Sequence, residues 1–393
     1  MMNHRRFILH LNVADFAVAV ERVVDLGLRD KPVIVAPLQA ARAAVYDMSE
    51  EAYRDGVRKG MLLTRATRIC RAARVLPPRF DLYRKAMASF VDEARGYSPV
   101  LEHGAEDGHL YLDITGTHRL FGTPPDVGWR LHRQIRCKLE IDPIWSLAGS
   151  KLVSKIGSRL VKPVGEYIVA DGEEQRFLAP LPLHLLPGLS NGERQRLSQF
   201  NIVRIGELAA LSRMQLEGVF GRRGETLFEL SRGIDENAVR PEEERPPRVV
   251  REHIFSDDCA DRTVLKGVVG ALAAQLGMEL RATRMQARRV GLQLDYTDGT
   301  TVSRQASVRK GVADDDSLLR LAMTALERSL TRRTRVRSCR LIGDRLHGRS
   351  PQLKLFTDPA TGRKKEQLLT AMDRIRQRFG REAIRMGSQP VLH

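Results

Sequence analysis

Aromatic residues are scarce in this chain of 393 residues: Phe, Tyr and Trp together make up 5% of it. So few rings cannot line a groove with stacking platforms for single-stranded nucleic acid, which leaves phosphate-backbone contacts as the way such a chain would hold a polynucleotide. Cysteine is scarcer still. Cys70, Cys137, Cys259 and Cys339 are scattered, with no pair at metal-ligand spacing and no secretory context, so all four are expected to be reduced packing residues. No apolar run approaches the roughly 20 residues that span a bilayer, and no signal peptide precedes the first apolar segment. A soluble, cytoplasmic protein without a membrane partner is expected. Acidic residues are also in deficit, 48 against 65 Lys and Arg, for a formal charge of +17 and a pI near 10.2. That excess favours a polyanionic partner.

The length predicts two to four domains, each burying its own apolar surface. In the first third, the strand-like segments FILHLNVA, KPVIVA and LYLDIT alternate with helical stretches at 84–95 and 127–139, an α/β or α+β pattern. Asp15 stands at the N-cap of the helix that follows the first strand. Between 171 and 236 the pattern changes to short helices joined by glycine turns. LPGLSNGERQRLSQFNI reads as helix, Pro-Gly turn, helix, with backbone N–H groups at Gly188 and a helix N-terminus suited to a phosphate; the GRRG turn adds Arg222 and Arg223. RPEEERPPR at 240–248 is charged, proline-rich and aperiodic, as a linker would be.

Beyond it, a helix at 262–281, strands RRVGLQLDYT and TVSRQASVR, a helix at 315–331 and a strand VRSCRLIGDRL make a compact α/β domain. Arg288, Arg289, Arg304, Arg309, Lys310, Arg335, Arg337 and Arg340 on its strands suggest a DNA-backbone track. From 349 the chain turns polar, offers SPQLKLF, and ends with an amphipathic helix at 365–379. A short apolar motif in such a tail suits a partner's groove.

Taken together, KPVIVA, GVRKGM, LYLDITG, SLAGSKLVSKIGSRLVKP, LPGLSNGERQRL, FGRRGETLFELSRGID and QLKLF, in that order, resemble a Y-family DNA polymerase of the DinB and UmuC type. The resemblance implies an α+β multidomain chain with right-hand architecture. Palm would occupy 1–32 and 75–170, fingers 33–74, a helix-hairpin-helix thumb 171–239, a linker 240–248, and an α/β little finger 249–348. The tail, 349–393, would carry a sliding-clamp motif at Gln352, Leu353, Leu355 and Phe356.

The family's chemistry is phosphoryl transfer with two Mg²⁺ ions held by carboxylates. Anchoring on Val20 and Glu21 places Asn12 and Ala14 at the first acidic positions, and anchoring on Leu112 and Asp113 places Gly108 and His109 at the second pair. The sugar-facing aromatic falls at Ala17, and the triphosphate-gripping Tyr and Arg at Glu50 and Tyr53. Lys162 matches the lysine that faces the incoming phosphates. The resemblance is therefore to a catalytically degenerate, ImuB-like member that needs no cofactor. It would bind primer-template or damaged DNA and the replication clamp, and aid another polymerase in translesion synthesis during an SOS response, with a RecA-like or UmuD-like protein as further partner.

Two readings compete with it. One is an active, error-prone, Mg²⁺-dependent polymerase whose carboxylates come from Glu106, Asp107, Asp113 or Asp15; a two-residue slip of the strand would bring Glu106 and Asp107 into place without changing its face. The other is a basic DNA-binding protein with no role at the fork.

The tail motif generates the first test. Replacing Leu355 and Phe356 together by Ala should abolish binding to the replication clamp in surface plasmon resonance while leaving DNA affinity intact; unchanged clamp affinity would remove this reading of the motif.

Overall fold

The computed structural model describes residues 6–38, 43–104, 106–241, 247–298, 300–348, 359–380 and 383–384. The chain divides into two compact units, Met1–Arg245 and Pro246–His393. The first runs β1 (Ile8–Asn12), α1 (Phe16–Val24), β2 (Val33–Val35), β3 (Asp47–Met48), α2 (Glu50–Arg54), α3 (Leu63–Ile69), β4 (Arg74–Leu76) and α4 (Phe80–Arg95). It continues with β5 (Leu101–His103), β6 (His109–Asp113), α5 (His118–Phe121), α6 (Pro124–Leu139), β7 (Ile144–Ala148), α7 (Lys151–Leu160) and β8 (Glu166–Ile168). Five short helices close it: α8 (Glu174–Leu178), α9 (Asn191–Gln199), α10 (Ile205–Ala209), α11 (Arg213–Phe220) and α12 (Arg223–Ser231).

The main sheet has the order β5-β6-β1-β7-β8. Its middle strand is apolar enough to be buried on both sides, and all of Ile8–Asn12 is buried. Leu9 and Leu11 of β1, Leu110 and Leu112 of β6, and Trp145 and Leu147 of β7 face one core with Phe16, Tyr83, Phe90, Leu131 and Ile135. The period of two then sends His10, Asn12, His109, Tyr111 and Ser146 to the opposite face. α7 covers that face closely because its residues there are small: a Cβ on Gly157 would come within 3.1 Å of Ser146 Cβ. Ser150 caps α7, its hydroxyl accepting from Val153 N at 3.3 Å.

A small second sheet, β3-β2-β4, has its own core of Ile34, Val45, Ala52, Val57, Ala66 and Cys70. Among the five short helices, Leu197, Ile205, Leu208, Leu216 and Leu227 share a core with Leu152 and Ile156 of α7. α11 and α12 touch at Gly224, where a Cβ would lie 2.4 Å from Glu217 N, so only glycine permits this approach.

The second unit contains β9 (Val249–Cys259), α13 (Arg262–Ala282), β10 (Met285–Tyr296), β11 (Thr301–Val312), α14 (Asp315–Ser329), β12 (Val336–Gly348) and α15 (Pro359–Phe379). The sheet order is β11-β10-β12-β9, and Leu265, Val268, Leu272 and Leu276 of α13 with Leu318, Ala322 and Leu326 of α14 fill its core.

Several expectations are corrected here. β9 is absent from the sequence reading, because charged residues break the alternation of VVREHIFSDDC. α13 is, by length and composition, apolar enough to cross a membrane; its apolar stripe is instead buried against the sheet. Cys70 and Cys339 pack as expected, but Cys137 is exposed and Cys259 only partly covered. Most of the linker at 240–248 and the whole QLKLF motif, Gln352 to Phe356, lie outside the described residues.

α15 is anchored by a buried ion network. Asp315 accepts from Arg281 at 2.7 Å and from Arg376 at 3.1 Å, and Asp373 of α15 pairs with Arg281 at 2.7 Å. Asp315 and Arg376 are only 2% and 5% exposed. Removing one partner of such a set leaves buried charge uncompensated, at roughly 3–5 kcal/mol. Asp315→Ala should therefore lower the urea midpoint of the second unit by that equivalent and open 359–379 to limited proteolysis; an unchanged midpoint would show that the network contributes nothing.

Candidate active site

At one end of the main sheet, β1 and β6 pair with Asn12 opposite His109 and His10 opposite Tyr111. His10 Nδ1 lies 2.7 Å from Ser158 Oγ of α7, and His10 Nε2 lies 3.1 Å from His109 Nδ1. Burial holds His10 well below the usual imidazole range, reinforced by His109 and nearby Lys155, Lys162 and Arg159. His109 is lowered to about 4, mainly by burial, against the pull of Asp107. Both rings are neutral near pH 7. Asn12 is 1% exposed, and among the described residues its Nδ2 has no hydrogen-bond partner.

Gly108 has φ +71°, in the left-handed region. Its carbonyl accepts from Val13 N at 3.0 Å, and a Cβ there would lie 2.9 Å from both Val13 O and Phe16 Cβ. The neighbouring acids serve elsewhere. Glu106 pairs with Arg84 at 3.1 Å, while exposed Asp107 accepts from the His109 amide at 3.1 Å. Asp113 stands opposite Ile8, four residues along the strand from His109, a separation of about 13 Å.

Asp15 occupies the N-cap of α1 but makes no side-chain capping bond. Its carboxyl is pushed up to about 6, first by burial and then by Asp47. Asp47 accepts from Ala17 N at 2.9 Å and pairs with Lys59 at 2.8 Å. Lys162 is lowered by desolvation and by Lys59 and Arg159, with Asp15 and Asp47 opposing. Glu50 binds Arg54 at 3.0 Å, and the Tyr53 ring lies 3.9 Å beneath the Arg58 guanidinium; both residues serve contacts at the edge of α2.

Residues 11–159 match the impB/mucB/samB family, and residues 246–355 match that family's C-terminal domain. DNA polymerase IV of Dehalococcoides mccartyi strain CBDB1 is 30% identical over 383 residues, 97% of either chain. The chain belongs to the Y family of DNA polymerases. DNA polymerase IV of Desulfatibacillum aliphaticivorans is 29% identical over 378 residues, 95% of this chain and 94% of that one. The fold agrees: the Y-family polymerase chimera Dbh-Dpo4(243-245)-Dbh gives a TM-score of 0.74 at 20% identity, covering 87% of this chain and 100% of that one. DinB from Sulfolobus solfataricus gives 0.60 at 20% identity, covering 86% and 98%. The multidomain α+β architecture is that of the Y family.

Y-family polymerases use divalent metal ions, and the residues here do not fit such ions. Hard cations take oxygen ligands, preferably carboxylates. Asn12, Ala14, Gly108 and His109 offer no carboxylate, and the unpartnered atom of Asn12 is the amide nitrogen, a donor rather than a ligand. Among the described residues, no group of three or more His, Cys, Asp or Glu side chains converges as a metal would require.

The DNA-contact candidates divide. Gly188 does take a turn conformation, φ +82°, but the N-terminus of α9 is closed by its own capping box, Glu193 accepting from Ser190 N at 2.7 Å. Arg223 also bonds within the protein, to Glu193 at 2.8 Å and to the Gly188 carbonyl, and keeps 39% of its side chain exposed; Arg222 is exposed. Part of the expected arginine track is ion-paired. Arg289 pairs with Asp344 at 2.5 Å, Arg340 with Glu252 at 2.8 Å and Arg337 with Asp258 at 3.9 Å.

Register shows that Arg304, opposite Leu292, belongs to the helix-covered side of edge strand β11 rather than to the open face. Arg288, Arg304 and Lys310 are exposed and, among the described residues, not ion-paired. They lie along the β10–β11 hairpin, whose register breaks between Ala287 and Arg289.

The sequence reading missed His10, Asp47, Lys155 and Arg159. The lysine and arginine were legible in principle, since Lys151, Lys155 and Arg159 recur every four residues in KLVSKIGSRLVK.

Backbone geometry at Gly108 generates a prediction. Putting Asp at 108 sets a side chain at positive φ and against two close neighbours, which costs on the order of 1–3 kcal/mol. A variant with Asn12→Asp, Gly108→Asp and His109→Glu should melt several degrees lower than the wild type and gain no thermal shift from Mg²⁺. A Mg²⁺-dependent rise in its melting temperature would show that the backbone accommodates a carboxylate.

Proposed function

We propose that this chain is a non-catalytic Y-family homologue that binds DNA and a replication sliding clamp, and assists another polymerase in translesion synthesis or repair. The observation that carries the reading is Gly108: where the family places an acid, the backbone is left-handed and packed against Val13 and Phe16. A carboxylate pair and the metals it would hold supply most of the charge stabilisation in phosphoryl transfer. The main sheet and its helices correspond in this reading to the palm, β2–β4 with α2 and α3 to the fingers, α8–α12 to the thumb, and β9–β12 with α13 and α14 to the little finger. DNA would be held through its phosphates by Arg222, Arg288, Arg304 and Lys310, with Lys162 a weak nucleotide contact. The clamp would take Gln352, Leu353, Leu355 and Phe356, and the protein would act in the cytoplasm, with a RecA-like or UmuD-like protein as a further SOS partner.

A second reading, an active error-prone polymerase, is favoured by one observation: the full-length relatives are named DNA polymerase IV. Against it stand the β1–β6 register, which leaves Glu106 on Arg84, and the placement of Asp113 opposite Ile8.

Primer extension separates them. With either Mg²⁺ or Mn²⁺, at protein concentrations that saturate a primer-template, no nucleotide should be added; extension that dies on Asp107→Ala or Glu106→Ala would establish the second reading. Log affinity for duplex should fall linearly with log salt, and neutralising Arg288, Arg304 and Lys310 together should flatten the slope by roughly one unit for each cation removed from a phosphate.

A further inference from the structure

Of the chain's two tryptophans, one is half-exposed. Trp129 of α6 keeps 49% of its surface open, in a chain where aromatic residues are scarce. Its ring is nevertheless held in place. It meets the buried Trp145 of β7 edge-on, with centroids 5.6 Å apart and planes at 77°, and lies 6.4 Å from the ring of His132, which Asp142 fixes at 2.7 Å. Residue 128 is glycine, and that lets α6 come down on Trp145: a Cβ there would lie 2.5 Å from the Trp145 ring. An aromatic fixed before binding loses little entropy when its open side is covered, which is the character of an interface anchor.

The charge beside that ring is one-sided. At 3.6 residues per turn, positions 129, 133 and 136 fall within about 60° of one another, so Arg133 and Arg136 share the outward face with Trp129. Both are exposed and, among the described residues, not ion-paired. Acids of this region are already engaged: Glu140 with Arg29 at 2.9 Å, Glu93 with Lys138 at 2.9 Å, and Asp126 with the Thr123 amide at 3.2 Å. Glu166, opposite Trp145 on the edge strand β8, is exposed and without an ion pair among those residues, one negative charge against two positive. Two unpaired guanidiniums next to a fixed indole match a chain that offers carboxylates together with an apolar side chain.

The same face is turned away from the helices that carry Arg222. Leu131 and Ile135 of α6 belong to the core on one side of the main sheet, whereas α7, on the other side, shares its core with α8–α12.

We propose that the face of α6 bearing Trp129, Arg133 and Arg136 is a docking surface for an acidic protein segment, whose carboxylates pair with the two arginines and whose apolar side chain covers the indole. The surface is separate from the DNA contacts and from the tail motif, and it stands whether or not the chain adds nucleotides.

The experiment selects ligands for the full chain from a phage-displayed library of random peptides about 15 residues long, roughly four helical turns, with the Arg133→Glu, Arg136→Glu double variant as counter-selection. Enriched peptides should carry Asp and Glu around a Leu, Phe or Trp. One of them, labelled with fluorescein and followed by anisotropy, should bind the double variant at least about tenfold more weakly than the wild type. Trp129→Ala should weaken it likewise, and the same peptide with Lys in place of its acids should prefer the double variant. A labelled primer-template is the second probe, and its affinity should be the same for wild type and double variant.

No enrichment over the counter-selection, enrichment of peptides without acids, or equal affinity of the acidic peptide for wild type and folded double variant overturns the proposal. So does a loss of primer-template affinity with a flatter salt slope in the double variant, which would make the face a nucleic-acid surface. Both arginines are exposed, so the double variant decides the matter should Trp129→Ala fail to fold.

Discussion

The hydrogen bond from Val13 N to the Gly108 carbonyl, 3.0 Å long, ends the pairing of β1 with β6 and fixes its register. Everything about the site depends on that register. A strand shows alternate residues to opposite faces, so once Asn12 faces His109, the leucines of both strands go to the core and the histidines to α7. A slip would bring other side chains to the end of the sheet, but it would break this bond and remove Glu106 from Arg84. Gly157 and the serines of α7 then let that helix approach closely enough to hold His10.

The electrostatics follow from the same arrangement. A two-metal centre gathers carboxylates that repel one another strongly without their ions. Here three nearby acids have local partners, Glu106 in Arg84, Asp107 in a backbone amide, and Asp47 in Lys59 and the Ala17 amide, while Asp15 makes no side-chain capping bond and its carboxyl is pushed up to about 6 by burial and by Asp47. On α7, Lys151 pairs with Glu102, and Lys155 feels Asp107 and Glu102 against Arg159 and Lys151. In the second unit several strand arginines are matched by acids from neighbouring strands, while Arg288, Arg304 and Lys310 along the β10–β11 hairpin are exposed and, among the described residues, not ion-paired.

Much of this was legible in the sequence, and what was not has physical causes. Local signals found the helices: α13 and α14 begin where read, at residues with Asp261 and Asp314 as capping neighbours. Counting from anchored motifs brought Asn12 and His109 to one place, and the register pairs them. Pairing was not. Nothing in TVSRQASVR says that the exposed Arg304 stands opposite Leu292. Arg223 looked like a free cation because Glu193, thirty residues earlier, is its partner only once two helical hairpins have packed. The role of Asp47 depends on β3 lying beside α1, which no local pattern announces.

Gly108 also bears on history. An ordinary loss of a catalytic acid is reversible by a single codon change, because the backbone still waits in the shape the acid needs. Here the turn holds a conformation that favours glycine, and Phe16 and the Val13 carbonyl lie over the place where any Cβ would go. Return would require the turn, the aromatic and the acid to change together, and each step alone would destabilise the sheet end. On the non-catalytic reading proposed above, Gly108 acts as a ratchet: a chain in this conformation is free to elaborate surfaces and partners, but a carboxylate at 108 alone would not restore a metal site.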